Sequence, residues 1–99
     1  MNDYIFLMRG NAGSTDESGT GWDGYLAKLR ESGKFSGGSA IGSGLCVSKF
    51  GEATDITAYL SGYLKVRASS IEDAKKLLVG NPVFEAGGII EIRELPRTG

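Results

Sequence analysis

Leu64, Val66 and Ala68 alternate with Tyr63, Lys65 and Arg67, and this one-sided alternation constrains the fold more than any other feature of the chain. Successive side chains of a strand point to opposite faces, so the segment has one apolar face and one mixed face. Such a strand belongs in a sheet that is covered on one side. Residues 88–95 repeat the pattern, with Ile90 and Ile92 on one face and Ile89, Glu91 and Arg93 on the other. Residues 3–9 are a short apolar run rich in aromatic and branched side chains, which reads as another strand. Its outward set is either Ile5, Leu7 and Arg9 or Tyr4, Phe6 and Met8, and the sequence leaves both open.

The cover is present as two helices. Trp22, Tyr25, Leu26 and Leu29 recur at i, i+3, i+4 and i+7, which is one apolar stripe, while Lys28, Arg30 and Glu31 fall off it. Gly33 is the expected stop. The second helix opens at Ser70, a good N-cap, with Glu72 and Asp73 in a first turn where the helix dipole favours acids. Ile71, Ala74, Leu77 and Leu78 form its apolar side, and Gly80 followed by Asn81-Pro82 ends it.

The remaining segments are connections and short strands. Residues 10–21, mostly Gly, Ser, Thr, Asn and acidic, read as a loop. Phe35 to Gly44 is glycine-rich but has neither P-loop nor dinucleotide spacing, so it reads as a tightly packed short strand and a turn. Leu45–Phe50 and Ala53–Ile56 flank Gly51-Glu52, the pattern of a β-hairpin with a two-residue turn, with Cys46 buried in its first arm.

The order predicts an α+β, ferredoxin-like βαββαβ domain over residues 1–99 with an extra hairpin strand. Two helices would cover one face of an antiparallel sheet. The other face would mix large apolar groups with long charged ones. A chain of 99 residues buries little surface, and a small monomer seldom leaves such a face uncovered, so a homodimer is expected.

Composition narrows the chemistry. There is no histidine, so Ser-His-Asp and Cys-His catalysis and every His-bearing zinc site are excluded. Acid–base work would fall to Asp, Glu, Tyr, Lys or Cys. A net charge of −1 argues against a general nucleic-acid binder. RNA recognition on the sheet would need an aromatic Gly-Phe/Tyr signature that is missing. One cysteine forms no internal disulfide, and the apolar run at Tyr4–Met8 is too short for a signal peptide's core or a bilayer span. The expected location is the cytoplasm, with no membrane partner.

The chain resembles the YCII-related family, in particular its DGPF-motif branch. The resemblance rests on Tyr4 to Gly10, Trp22 and Tyr25 with Leu29 and Ser32-Gly33, Gly37-Gly38 with Ile41, Leu60-Ser61-Gly62-Tyr63, Ser70 to Ala74 with Asn81-Pro82, and Gly88 to Leu95. It implies a dimeric α/β barrel. Where the family reads Asp-Gly-Pro-Phe followed by a Glu/Lys cluster, this chain reads Thr54-Asp55-Ile56-Thr57-Ala58-Tyr59, so only Asp55 matches. The His–Asp pair proposed for other members of the family has no counterpart here. Relatives associated with extracytoplasmic-function sigma factors make a regulatory role a further implication.

Three groups are candidates for a site. Asp55 is either a general base at a pocket mouth or a residue bonding nearby backbone N–H groups. Lys65, Arg67 and Arg93, opposed by Glu91 and joined by Arg9, either hold a small anion between two sheets, or Arg67 or Lys65 pairs with Glu91 across strands on one sheet face. Tyr59 and Tyr63, which flank the start of a strand, either orient a ligand or bury their rings with wet hydroxyls. The expected function is a small-molecule, anion-accepting ligand-binding or regulatory accessory domain with no cofactor and no metal. The alternative is a cofactor-free isomerase, cyclase or lyase using Asp55 as acid or base.

Overall fold

The computed structural model describes residues 1–10, 20–57 and 59–97. The strands are β1 (Asn2–Arg9), β2 (Phe35–Ala40), β3 (Leu60–Ala68) and β4 (Ile89–Leu95). The helices are α1 (Thr20–Ser32), α2 (Ile71–Lys76) and α3 (Pro82–Glu85). The sheet has the order β2-β3-β1-β4, with every neighbouring pair antiparallel. This is the ferredoxin-like arrangement expected from the order of elements.

Alternation decides which face is covered. Tyr4, Phe6 and Met8 of β1 lie opposite Val66, Leu64 and Gly62 of β3, and all six are buried. Ile92 and Ile90 of β4 extend the layer at half burial. Tyr25 and Leu29 of α1, with Ala74 and Leu78 after Ser70, close over it. The choice left open for β1 is thereby settled: Asp3, Ile5, Leu7 and Arg9 face the open side. Phe6 and Val66 are fully buried at the middle of the core, each worth roughly 1.5–3 kcal/mol of transfer free energy.

Local chemistry accounts for the boundaries. Gly33 takes φ +76° after α1, and its N–H donates to the Arg30 carbonyl. The Ser70 hydroxyl accepts the Asp73 N–H at 3.1 Å, as an N-cap should. Ile71, expected on the covered side of α2, is 46% exposed. It is the first helical residue; the helix turns Ala74 inward instead, and Leu78 is buried in the turn that follows. α2 ends at Lys76, short of the Gly80 stop expected from the sequence, and Asn81-Pro82 instead starts the next helix. The Asn81 side chain accepts the Phe84 N–H at 3.0 Å and caps α3, with Pro82 in its first turn. Asn81 is fully buried, and its amide also reaches the Met8 sulfur at 3.7 Å.

Two expectations change. The loop read at 10–21 falls over 11–19 outside the described residues, and Thr20 and Gly21 already belong to α1. The extra hairpin strand is absent: among the described residues 41–57 none is in a strand. Cys46, expected in a buried strand, is exposed. So are Leu45, Val47 and Phe50, at 76%, 82% and 81%. Short apolar runs make a stable strand only against another layer, and a two-stranded hairpin with nothing beneath it is marginal. This segment has no such layer.

Candidate functional site

Two surfaces carry the chemistry. The first is the open face of the sheet. Arg9, Lys65, Arg67, Glu91 and Arg93 share it with Asp3, Ile5, Leu7 and Tyr63, as the alternation requires. The ion pairs differ from those expected. Glu91 is held between Arg9 at 3.4 Å and Arg93 at 3.1 Å. Arg67 pairs instead with Asp3 at 3.8 Å, and Arg97 joins Asp3 at 3.0 Å. The topology explains this, because β1 lies between β3 and β4. Lys65 and Arg67 are therefore two strands, roughly 9–10 Å, from Glu91. The Arg97 hydrogen bond holds the Asp3 carboxyl below its ordinary range. Four of this surface's arginines thus already face a carboxylate, and Lys65 makes no ion pair with another described residue.

The second surface is a cleft of about 910 Å³ between α1 and the edge strand β2, running onto the start of β3. Trp22, Leu26 and Arg30 descend one side of α1 at i, i+4 and i+8, beside the core stripe, and all three line it. Met8, Leu64 and Val83 also line it, with Phe35 and Tyr59 adding aromatic surface; Tyr63, whose side chain is on the open face, borders it from the strand. Ser39 and Ser61 supply hydroxyls. The space exists because β2 carries almost no side-chain volume after Phe35. Gly38 cannot carry any: a Cβ there would stand 2.5 Å from the Tyr63 carbonyl oxygen and 2.7 Å from a Leu64 methyl. Gly37 has φ +123°, at the register shift between β2 and β3. The Gly-Gly pair is thus explained by close strand approach and a bulge.

The predicted site residues divide between these surfaces. Tyr59 and Tyr63 line the cleft. Tyr59 is 65% exposed and holds φ +64°, a left-handed conformation rare for a residue with a side chain. Asp55 lies apart, exposed on the 41–57 segment, where it borders a shallow depression with Leu45, Cys46 and Thr54. Trp22 and Arg30 were missed as site residues, Trp22 because its stripe read as core and Arg30 because it read as off the stripe. The i, i+4, i+8 spacing of Trp22, Leu26 and Arg30 is the signal that marks them. Arg30 sits 5.5 Å from the centre of the Phe35 ring, a cation–π contact across the cleft's rim. Among the described residues no cluster of His, Cys, Asp or Glu could hold a metal, and no helix is long and apolar enough to cross a membrane.

No known protein family and no curated protein matches the chain in sequence. Among solved structures, the chain is similar to 5-chloro-2-hydroxyhydroquinone dehydrochlorinase (TftG) from Burkholderia phenoliruptrix AC1100, in complex with 2,5-dihydroxybenzoquinone. The two superpose with a TM-score of 0.63 at 17% identity, over 97% of this chain and 95% of the other. The likeness extends over the whole architecture, and it establishes a shared fold.

Proposed function

We propose that this chain is a small-molecule-binding domain of the YCII-related type, with its ligand in the cleft between α1 and β2. One observation carries the reading: a cleft of about 910 Å³ walled by Trp22, Leu26 and Phe35, with only a few polar groups at its edge. Ligand sites are concave, mainly apolar and furnished with a small number of polar anchors. The fold shared with an enzyme whose structure holds a small cyclic compound supports the same reading. A second copy covering Ile5, Leu7 and the ion pairs of the open face would complete a dimeric barrel and belongs to the proposal.

The binding reading ranks above the catalytic one because Asp55, the proposed acid or base, does not line the cleft. The test uses the chain's one tryptophan, whose indole N–H gives a single resonance. Titration with 2,5-dihydroxybenzoquinone and with a panel of substituted benzoates should move the Trp22 indole signal together with the Gly37 and Gly38 amides. Shifts confined to other parts of the chain, or none at millimolar ligand, would refute it.

A further inference from the structure

We infer that the cleft takes planar aromatic anions and that Arg30 is the residue that selects their charge. The inference rests on the cleft being the ligand site, and it moves anion recognition away from the sheet arginines named by the sequence.

Four observations support it. Among the described residues that line the cleft, Arg30 is the one with a formal charge and none is Asp or Glu. Among these residues an anion meets one positive group and no opposing carboxylate. Arg30 makes no ion pair with another described residue, whereas Arg9 and Arg93 already share Glu91, and Arg67 and Arg97 share Asp3. The Phe35 ring, 5.5 Å from the guanidinium carbon, restrains the side chain at the rim. A restrained guanidinium keeps its N–H donors for a carboxylate or an ionised phenol and loses less freedom in binding it. The surrounding surface is aromatic: Trp22 packs edge-on to Tyr25 at 5.9 Å, and its own surface contributes to the cleft beside Phe35 and Tyr59. Flat rings favour a flat ligand.

The test compares 2-naphthoate with 2-naphthamide, which share a ring system and differ in charge. Affinities come from the Trp22 indole shift, measured at pH 7.5 in low salt. The carboxylate should bind the unmodified chain about tenfold more tightly than the amide, a ratio equal to 1.4 kcal/mol. Arg30→Gln should reduce that ratio to near one, and Arg30→Lys should keep part of it, because a point charge lacks the planar fork. Amide hydrogen–deuterium exchange on each variant reports whether the fold is retained. Equal binding of the two probes by the unmodified chain would overturn the role of Arg30 and leave the cleft as a neutral aromatic site. A preference that survives Arg30→Gln and disappears in Arg93→Gln would return anion recognition to the sheet. Binding of neither probe would overturn the cleft reading itself, and this inference with it.

Discussion

The Tyr25 hydroxyl donates to the Leu77 carbonyl oxygen at 2.8 Å, tying α1 to the turn that follows α2. The bond joins the two helices that cover the sheet, and the tyrosine ring is buried between them. Tyr25→Phe removes the donor and leaves the carbonyl without it. The expected loss is about 1 kcal/mol of unfolding free energy, read from urea denaturation.

The same residue predicts an alkaline limit. Burial raises the Tyr25 phenol above its ordinary value of 10.0. Below that pH the phenol is neutral in both the folded and unfolded chain, and its burial carries no ionisation penalty. Above it the unfolded chain ionises first and the folded chain does not, so stability falls as pH rises from 10 toward the raised value. A thermal-melting series from pH 8 to 11 should show a steeper decline for the unmodified chain than for Tyr25→Phe.

At the acid end the sign reverses. Asp3 is held below its ordinary 3.8, chiefly by the Arg97 hydrogen bond. Its contribution is present above pH 3.8 and disappears as pH falls through the lowered value. Asp3→Asn should therefore lower the melting temperature slightly at pH 7, change little at pH 2, and flatten the profile between pH 4 and 2. Because the pair is exposed, raising the salt concentration should shrink the difference.

Gly38→Ala tests whether the cleft depends on the close approach of β2 to β3. The added methyl would meet the Tyr63 carbonyl oxygen at 2.5 Å, and backbone cannot yield as a flexible side chain can. A destabilisation of roughly 1–3 kcal/mol is expected, together with displaced amide resonances along β2. Gly42→Ala, where a Cβ would meet nothing within 4 Å, is the control and should stay within about 0.5 kcal/mol.

The open face predicts association. Leu7 stands at its middle, half-buried between Tyr63 of β3 and Glu91 of β4. Sedimentation of the unmodified chain at micromolar concentration should give twice the 10.4 kDa chain mass. Leu7→Lys should return it to one chain while the circular dichroism stays unchanged. A unit mass for the unmodified chain would remove the dimer.

The parts of the fold that were legible in the sequence are those where side-chain period and burial agree. Leu64, Val66 and Ala68 on β3, and the Tyr25–Leu29 stripe on α1, each face the core that their spacing demands. The reading failed at Leu45 to Ile56, where two short runs flank a turn-like Gly51-Glu52 but no neighbouring layer completes a strand. It also stopped short at Asn81-Pro82. A helix-stopping proline is equally a helix-starting one, and the local sequence does not say that the asparagine before it will cap. Of the residues lining the cleft, Tyr59 and Tyr63 were named from the sequence and Arg30 was not. A charge beside an apolar stripe reads as solvated until the third dimension sets it over the ring of Phe35. The ion pairs of the open face depend on which strands are neighbours, information that side-chain alternation does not carry.

The sheet order has a kinetic consequence. β1, the earliest strand along the chain, occupies an inner position: Phe6 is matched to Leu64 on one side and to Ile92 on the other. Neither ladder can begin until dozens of later residues exist. As the chain leaves the ribosome, Tyr4, Phe6 and Met8 wait without partners, and the second ladder must wait for the segment around Ile92. Large sequence separation between paired strands slows folding, so closure of this sheet is expected on the millisecond-to-second scale and after synthesis. Until then, the most apolar strand of the molecule is the one longest exposed to chaperones and to neighbouring nascent chains.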